Sequence, residues 1–298
     1  LLYDCIIVGG GIAGLQAAIQ LGRYEHKVLV LDAADGRSAI CRSYRNVLGW
    51  PKGVDGQELR RTGRLQAERL GIQFMEMEAE RAYQTEKGFL LSVKNGEGVT
   101  FSAKRLLLAT GVKDRIPGFE ELRPCMGKSV FICPDCDGYE ARGERTLIIG
   151  SGKAGVNMAL TLLYWTRDLI YIEHEPGGIG ASELSRLEEH GISYIGQPVS
   201  RTIVEDTSIK GVVLMDGQQI ESRKAFLAFG GNEVRSGLAV QLGAAVSENG
   251  HIEVDPRSKQ TSVPYLWAAG DVTVHSEQLA IAMGDGSQAA IWIHKSLL

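Results

Sequence analysis

The hydrophobic residues of this chain fall in short continuous runs, each closed by glycine, with helical stretches between them. This is the pattern of strands buried in a sheet and covered by helices. The first run, residues 3–8 (YDCIIV), leads into Gly9-Gly10-Gly11-Ile12-Ala13-Gly14, a helical stretch through Leu21, and a second strand, KVLVL, that ends at Asp32. The order then repeats as TLIIG, Gly150-Ser151-Gly152-Lys153-Ala154-Gly155, a helix to about Tyr164, and LIYI ending at Glu173. First glycine and acid are 23 positions apart in both copies. Two more buried strands, each ending in a glycine turn, are expected at Leu106-Leu107-Leu108-Ala109-Thr110-Gly111 and at Tyr265-Leu266-Trp267-Ala268-Ala269-Gly270-Asp271. An apolar helix from about Gln278 to Ser296 follows.

G-x-G-x-x-G by itself is a weak signal. Set between a strand and a helix, with an acid about 20 residues on, it is a dinucleotide fingerprint. Its glycines let the backbone approach a pyrophosphate at the helix N-terminus, where free N–H groups and the helix dipole favour an anion. The acid accepts hydrogen bonds from ribose hydroxyls. Two such units imply two dinucleotide sites, one on Gly9, Gly11, Gly14 and Asp32, the other on Gly150, Gly152, Gly155 and Glu173. The expected fold class is α/β, with two Rossmann-like dinucleotide-binding domains, the second inserted into the first. Crossings are expected between Val112 and Gly118, a stretch that carries Pro117, and in the region from Gly237 to Gly250. Residues 1–113 and 242–298 would then form a discontinuous first domain, and residues 114–241 the second.

Composition narrows the partners. With 298 residues, 44% of them hydrophobic, the chain is long enough for two cores. A net charge of −4 and no run of five like charges leave no basic footprint for nucleic acid or an anionic membrane. Leu1-Leu2-Tyr3-Asp4 reads as the start of a strand and not as a signal peptide. Five cysteines, an odd number with one close pair, do not make the disulfide framework of a secreted protein, so the expected compartment is the cytoplasm.

That close pair lies between the two fingerprints, in Cys133-Pro134-Asp135-Cys136-Asp137-Gly138-Tyr139-Glu140. Two thiols in C-x-x-C spacing close a small ring, and one of them can ionise at ~3.5–7.5 where a free thiol needs ~8.5. A reversible dithiol is the chemistry this spacing serves. A zinc site needs four ligands, and Cys5, Cys41 and Cys125 supply no second C-x-x-C, so no metal is expected. Cys5 lies in an apolar strand and reads as a core residue; Cys41 and Cys125 have no partner in the sequence.

With fingerprint, A-T-G, C-x-x-C-D-G, second fingerprint and A-A-G-D in this order, the chain resembles the low-molecular-weight thioredoxin reductases over essentially its whole length. Asn46-Val47-Leu48-Gly49-Trp50-Pro51 and the tail from Gln278 through Gly284-Asp285-Gly286 match as well. The resemblance implies that the two ends of the chain bind FAD, that the inserted domain carries the dithiol, and that the protein is a homodimer. It carries the FAD site over to Gly9, Gly11, Gly14, Asp32, Thr110, Gly111, Gly270, Asp271 and Gln278. It also implies that Cys136 faces the flavin, that Cys133 attacks the disulfide of a thioredoxin-like partner, and that Asp137 is the proton donor. A carboxylate held beside thiolates is disfavoured as an anion, so the Asp137 pKa should rise. The dipole of the tail helix would stabilise negative charge on a reduced flavin ring, and Asp271 would suit a flavin side-chain hydroxyl.

One part of the family pattern is missing. Members that use NADPH hold its 2′-phosphate with a His-Arg-Arg segment and a further arginine, whereas this chain reads Glu173-His174-Glu175-Pro176-Gly177-Gly178-Ile179-Gly180, with no arginine between Arg167 and Arg186. Like charges ~5 Å apart at an effective dielectric of ~20 repel by about 3 kcal/mol, so an exposed carboxylate here disfavours NADPH. Glu173 suits the ribose of NADH. Lys153-Ala154-Gly155 and Gly230-Gly231-Asn232 also depart from the family. The expected donor is NADH or a non-nicotinamide carrier such as reduced ferredoxin or a flavoprotein. His174 is expected at a solvent-exposed strand end and His275 near the flavin tail. The leading expectation is a flavoprotein disulfide reductase passing electrons from that donor through FAD and Cys133/Cys136 to a thioredoxin-like disulfide. The alternatives are a dithiol oxidase running in reverse and a non-enzymatic redox sensor. Oxidase relatives often have histidine after C-x-x-C, and Asp137 favours reduction.

Overall fold

Each apolar run that precedes a fingerprint becomes the centre of a parallel sheet. A computed structural model describes residues 1–175 and 178–298. In the first of its two units Leu2–Val8 pairs in parallel with Val28–Leu31 on one side and with Thr100–Leu108 on the other. Gln73–Met75 extends the sheet beyond Val28–Leu31. Thr100–Leu108 has two partners along its outer edge. Its first residues pair antiparallel with Gly88–Val93, and Leu106, Leu107 and Leu108 pair parallel with Leu266–Ala268. Val8, Leu31, Leu108 and Ala268 therefore end at one level, which brings the turns that follow them to one crevice.

Both faces of this sheet are covered. Cys5, Ile7, Val30, Leu107 and Trp267 pack against helices Ile12–Arg23 and Leu279–Leu297, while Ile6, Leu29 and Leu106 pack against Phe89, Leu91 and Leu238. The two helices touch backbone to backbone at Gly286, where a Cβ would lie 2.2 Å from the Ala13 carbonyl oxygen.

The second unit repeats the plan. Ser193–Ile195, Leu169–Glu173, Thr146–Gly150, Lys224–Ala228 and Val130–Phe131 lie in that order, all parallel. Helices Gly152–Leu162 and Ala181–Glu189 cover one face through Val156, Ala159, Leu162 and Leu187. A three-stranded antiparallel sheet, Val199–Glu205, Ser208–Leu214 and Gln219–Glu221, covers the other through Val199, Ile209 and Val212. The architecture is α/β with two Rossmann-like units.

The units divide as Leu1–Ala39, Gly56–Lys113 and Glu233–Leu298 against Ile40–Asp55 and Asp114–Asn232. Two boundaries differ from those drawn on the sequence. The chain returns to the first unit at Glu233, ahead of residue 242, because Glu233–Val234 pairs with Val112–Lys113 and Leu238 and Ala239 join the first core. Residues 40–55, assigned by sequence to the first domain, belong to the second. The Arg42 N–H donates to the Met126 carbonyl (3.0 Å) and Arg45 Nη1 donates to the Gly127 carbonyl (2.6 Å). One is a backbone pair and the other a side chain on a backbone carbonyl, both between segments some 80 residues apart, and no local pattern announces them. Among the described residues no helix is long and apolar enough to cross a membrane.

Candidate active site

The glycines of the first fingerprint have separate physical reasons. Gly9 adopts φ +107°, and a Cβ on it would lie 2.2 Å from the Ala109 carbonyl oxygen; a Cβ on Gly14 would lie 1.9 Å from the Gly9 carbonyl oxygen. Both let backbones touch. Gly11, the N-cap of helix Ile12–Arg23, is different, because beyond its own chain neighbours a Cβ there would meet no atom of the described residues within 4 Å. The first turn of that helix carries no acidic residue. Free N–H groups, positive dipole and a smooth glycine surface thus face open space, as a pyrophosphate requires.

Asp32 stands beside this cradle, its Oδ1 accepting the Gly10 N–H at 3.1 Å and its Oδ2 paired with Arg60 at 2.7 Å. Thr110 and Gly111 hold the returning chain: the Thr110 hydroxyl donates to the Arg235 carbonyl (2.6 Å) and the Arg235 N–H donates to the Gly111 carbonyl (3.0 Å). Gly270, at φ +80°, would bring a Cβ within 2.8 Å of Ala13. Burial pushes the Asp271 carboxyl up, against the pull of Arg37 at 3.1 Å. Gln278 is the N-cap of the tail helix and its carbonyl accepts the Ala282 N–H. The unit brings all nine of these sequence-derived positions to the ends of its strands and to the starts of helices Ile12–Arg23 and Leu279–Leu297. These residues fit FAD. Sequence reasoning missed Arg60 and Arg37; Arg37 is 234 residues from Asp271, so no spacing could reveal the pair.

His275 is held by Asp285, its Nε2 2.6 Å from Oδ2, and that hydrogen bond raises its pKa. Asp285 is buried, pairs also with Lys259 at 2.8 Å, and accepts the Gly270 N–H at 3.2 Å. Through that last bond the triad holds the A-A-G-D turn.

The second fingerprint is built differently. Gly150 and Gly155 again permit close approach, to the Ala228 carbonyl oxygen and the Tyr171 ring. Gly152, however, has Gly178 against it, with the Gly178 carbonyl oxygen 3.3 Å from where a Cβ of Gly152 would be. Glu173 is 4% exposed, accepting the Gly152 N–H (3.3 Å) and the Tyr194 hydroxyl (2.5 Å). The expectation of an exposed carboxylate here is overturned. His174 is not a solvent-exposed histidine either. Its ring lies against Phe119 and Phe229, its Nδ1 accepts the Val199 N–H at 3.1 Å, and burial lowers its pKa. Glu175 forms a two-pronged pair with Arg115. Pro176 and Gly177 lie outside the described residues.

Cys133 and Cys136 are joined in a disulfide. Cys133 caps the short helix Pro134–Asp137, and its Sγ accepts the Cys136 N–H at 3.1 Å. The same hydrogen bond favours a thiolate at Cys133 once the disulfide opens. Gly138 packs flat on Trp165, where a Cβ would lie 2.5 Å from the ring. Asp137 follows in a partly buried position, and burial pushes its carboxyl up to about 7; Arg45 and Lys224 pull it down and Glu140 pushes it up. Glu140 in turn bridges Arg45 (3.6 Å) and Lys224 (3.7 Å). Arg45 reaches this cluster on the 40–55 segment, which the sequence had placed in the other domain. Burial pushes the free thiol of Cys41, on the same segment, up to about 11, and Cys5 and Cys125 are fully buried, so none of the three is a ready nucleophile.

Two Rossmann-like units, one with an open fingerprint cradle and the other with a redox-active dithiol beside a raised-pKa acid, define a flavin-dependent disulfide oxidoreductase. The sequence pattern of the pyridine nucleotide-disulphide oxidoreductase family matches residues 3–286, and the chain belongs to that family. It is 28% identical to a thioredoxin reductase of Coxiella burnetii over 97% of this chain and 94% of that protein. It is also 29% identical to an NADH dehydrogenase of Bacillus subtilis over 97% of this chain, which spans 57% of that longer protein. Among solved structures, an oxidoreductase from Agrobacterium tumefaciens superposes with a TM-score of 0.79 at 30% identity, covering 100% of this chain and 99% of that one. The chain is an FAD-dependent disulfide oxidoreductase of the thioredoxin reductase kind.

Proposed function

We propose that the protein reduces the disulfide of a thioredoxin-like protein, as a homodimer, with the FAD site formed by Gly9, Gly11, Gly14, Asp32, Thr110, Gly111, Gly270, Asp271 and Gln278. The carrying observation is the Cys133–Cys136 disulfide with Asp137 directly behind it, its pKa about 7. FAD held there, once reduced by the donor, would supply the two electrons that reopen this disulfide. The Cys133 thiolate then attacks one sulfur of the partner disulfide, forming a mixed disulfide and releasing a thiolate, which Asp137 protonates. Cys136 attacks Cys133 Sγ, the Cys133–Cys136 bond forms again, and the second partner sulfur leaves as a thiol.

The donor is NADH or a non-nicotinamide carrier such as reduced ferredoxin, in preference to NADPH. What supports this is the absence of an arginine cluster after Glu173. The guanidinium that does stand nearby, Arg115, is neutralised by Glu175.

The test uses holoenzyme whose flavin is reduced photochemically without air, followed by oxidised thioredoxin. Free, fully reduced thioredoxin is expected from wild type and from neither Cys133→Ser nor Cys136→Ser, while Cys136→Ser should stop at a mixed disulfide through Cys133. Full turnover by either single variant would show that the pair is not the catalytic dithiol. Oxygen consumption driven by small dithiols, with no transfer to thioredoxin, would favour the oxidase reading.

A further inference from the structure

The two fingerprints share their spacing but not the space beside their central glycine. In a dinucleotide site the adenosine ribose lies between the acid at the end of the second strand and the glycine turn, with the pyrophosphate against that turn. Around Gly11 that space is open. Around Gly152 it contains protein. A Cβ built on Gly178 would fall 2.6 Å from Gly152 Cα, 2.8 Å from Gly152 N and 2.7 Å from Glu173 Oε1. Gly178 thus sits in the notch between acid and turn, close against both, and only a residue without a side chain fits there. Glu173 Oε1 accepts the Gly152 N–H and Oε2 the Tyr194 hydroxyl, but Asp32 in the open cradle is held in the same way by the Gly10 N–H and Arg60, so Gly178 is what separates the two sites.

We propose that the chain's own backbone fills the second cradle and that Gly178 is the residue that denies it to nicotinamide dinucleotides, NADH as well as NADPH. The inference deepens the reading of a flavin disulfide reductase, on which it rests, by narrowing the donor to carriers other than a nicotinamide. It also accounts for the missing arginine clamp, since a closed cradle has no 2′-phosphate to hold. The fingerprint keeps its glycines because each is needed where two parts of the fold meet closely, Gly150 against Ala228, Gly155 against Tyr171, and Gly152 against Gly178.

The test measures binding, so that it is independent of turnover. Calorimetric titration of FAD-loaded wild type with NAD+ and NADP+ to about 1 mM should show no saturation, and neither NADH nor NADPH should bleach the flavin within minutes. Gly178→Ala, whose Cβ cannot share the notch with Gly152, should move this residue out of the notch and raise NAD+ affinity at least about tenfold. Tyr194→Phe frees one oxygen of Glu173 without moving Gly178 and should restore nothing. Saturable binding by wild type that Gly152→Ala abolishes would overturn the proposal, as would recovery in Tyr194→Phe alone or a folded Gly178→Ala protein that gains no affinity. Should Gly178→Ala fail to fold, wild type and Tyr194→Phe decide the matter by themselves. Failure of the disulfide reductase reading would look different: photoreduced flavin would not deliver thiols to thioredoxin, whatever the binding data show.

Discussion

Arg115 and Glu175, sixty residues apart, meet in a two-pronged ion pair, and the Arg115 guanidinium also lies over the Phe229 ring. The sequence around Glu173 holds no arginine, yet the folded unit places one there with its charge cancelled. Both side chains are more than a third exposed, so the pair should contribute only about 0–1 kcal/mol to stability. Its consequence is for specificity. Glu175→Gln alone should leave dinucleotide binding at background, because Gly178 still fills the notch. Combined with Gly178→Ala, it frees Arg115 and should shift the NADP+ to NAD+ affinity ratio roughly 5- to 30-fold towards NADP+. An unchanged ratio would mean that Arg115 does not reach a 2′-phosphate. His174→Arg, attractive on sequence alone, would instead break the contact with Phe119 and Phe229.

Asp137 gives the reaction a pH limb. Its folded pKa, about 7, is raised above an unfolded value of ~3.9, so the native protein holds this proton across a window in which the unfolded chain has lost it. The linked stability is fully present below the unfolded pKa and is lost as pH rises through about 7. Proton donation follows the same sign, so kcat for disulfide reduction should fall above about pH 7. Asp137→Asn should lower kcat by ~10²-fold or more and remove that limb. A pH–rate profile in which the variant keeps the wild-type limb would assign it to another group.

Gly138 and Trp165 form a pair that a methyl group should disrupt. Gly138→Ala drives a Cβ to 2.5 Å from the indole ring and should cost about 1–3 kcal/mol in urea unfolding. The same shift displaces the adjoining Asp137 and should slow turnover. Replacing Trp165 by leucine in the same protein should recover part of both losses, and simple additivity of the two substitutions would rule out the contact as the cause.

Gly11 isolates the cofactor from the fold. Its backbone is extended rather than left-handed, and a Cβ there meets no atom of the described residues beyond its chain neighbours. Gly11→Val should therefore leave the melting temperature of the apoprotein within about 2 °C of wild type while weakening FAD binding by ~100-fold or more, measured by quenching of flavin fluorescence. Wild type should carry one FAD per chain. Equal FAD affinity in the variant would move the pyrophosphate away from this turn.

What the sequence determined by itself was everything that depends on neighbours along the chain. The two strand–turn–helix–strand units, the acids at their second strand ends and the Cys133–Cys136 spacing are local patterns, legible because buried parallel strands must be apolar throughout and tight turns must be glycine. Tertiary structure alone decided what stands opposite those patterns. It carried residues 40–55, and with them Arg45, to the dithiol unit, paired Asp271 with Arg37, packed His174 against two phenylalanines and set Gly178 against Gly152. The two fingerprints look alike in sequence because the spacing of glycines records only the turn they make. Whether the turn faces open space or another backbone is set by residues distant in the chain, through contacts of a few ångströms that no periodicity encodes.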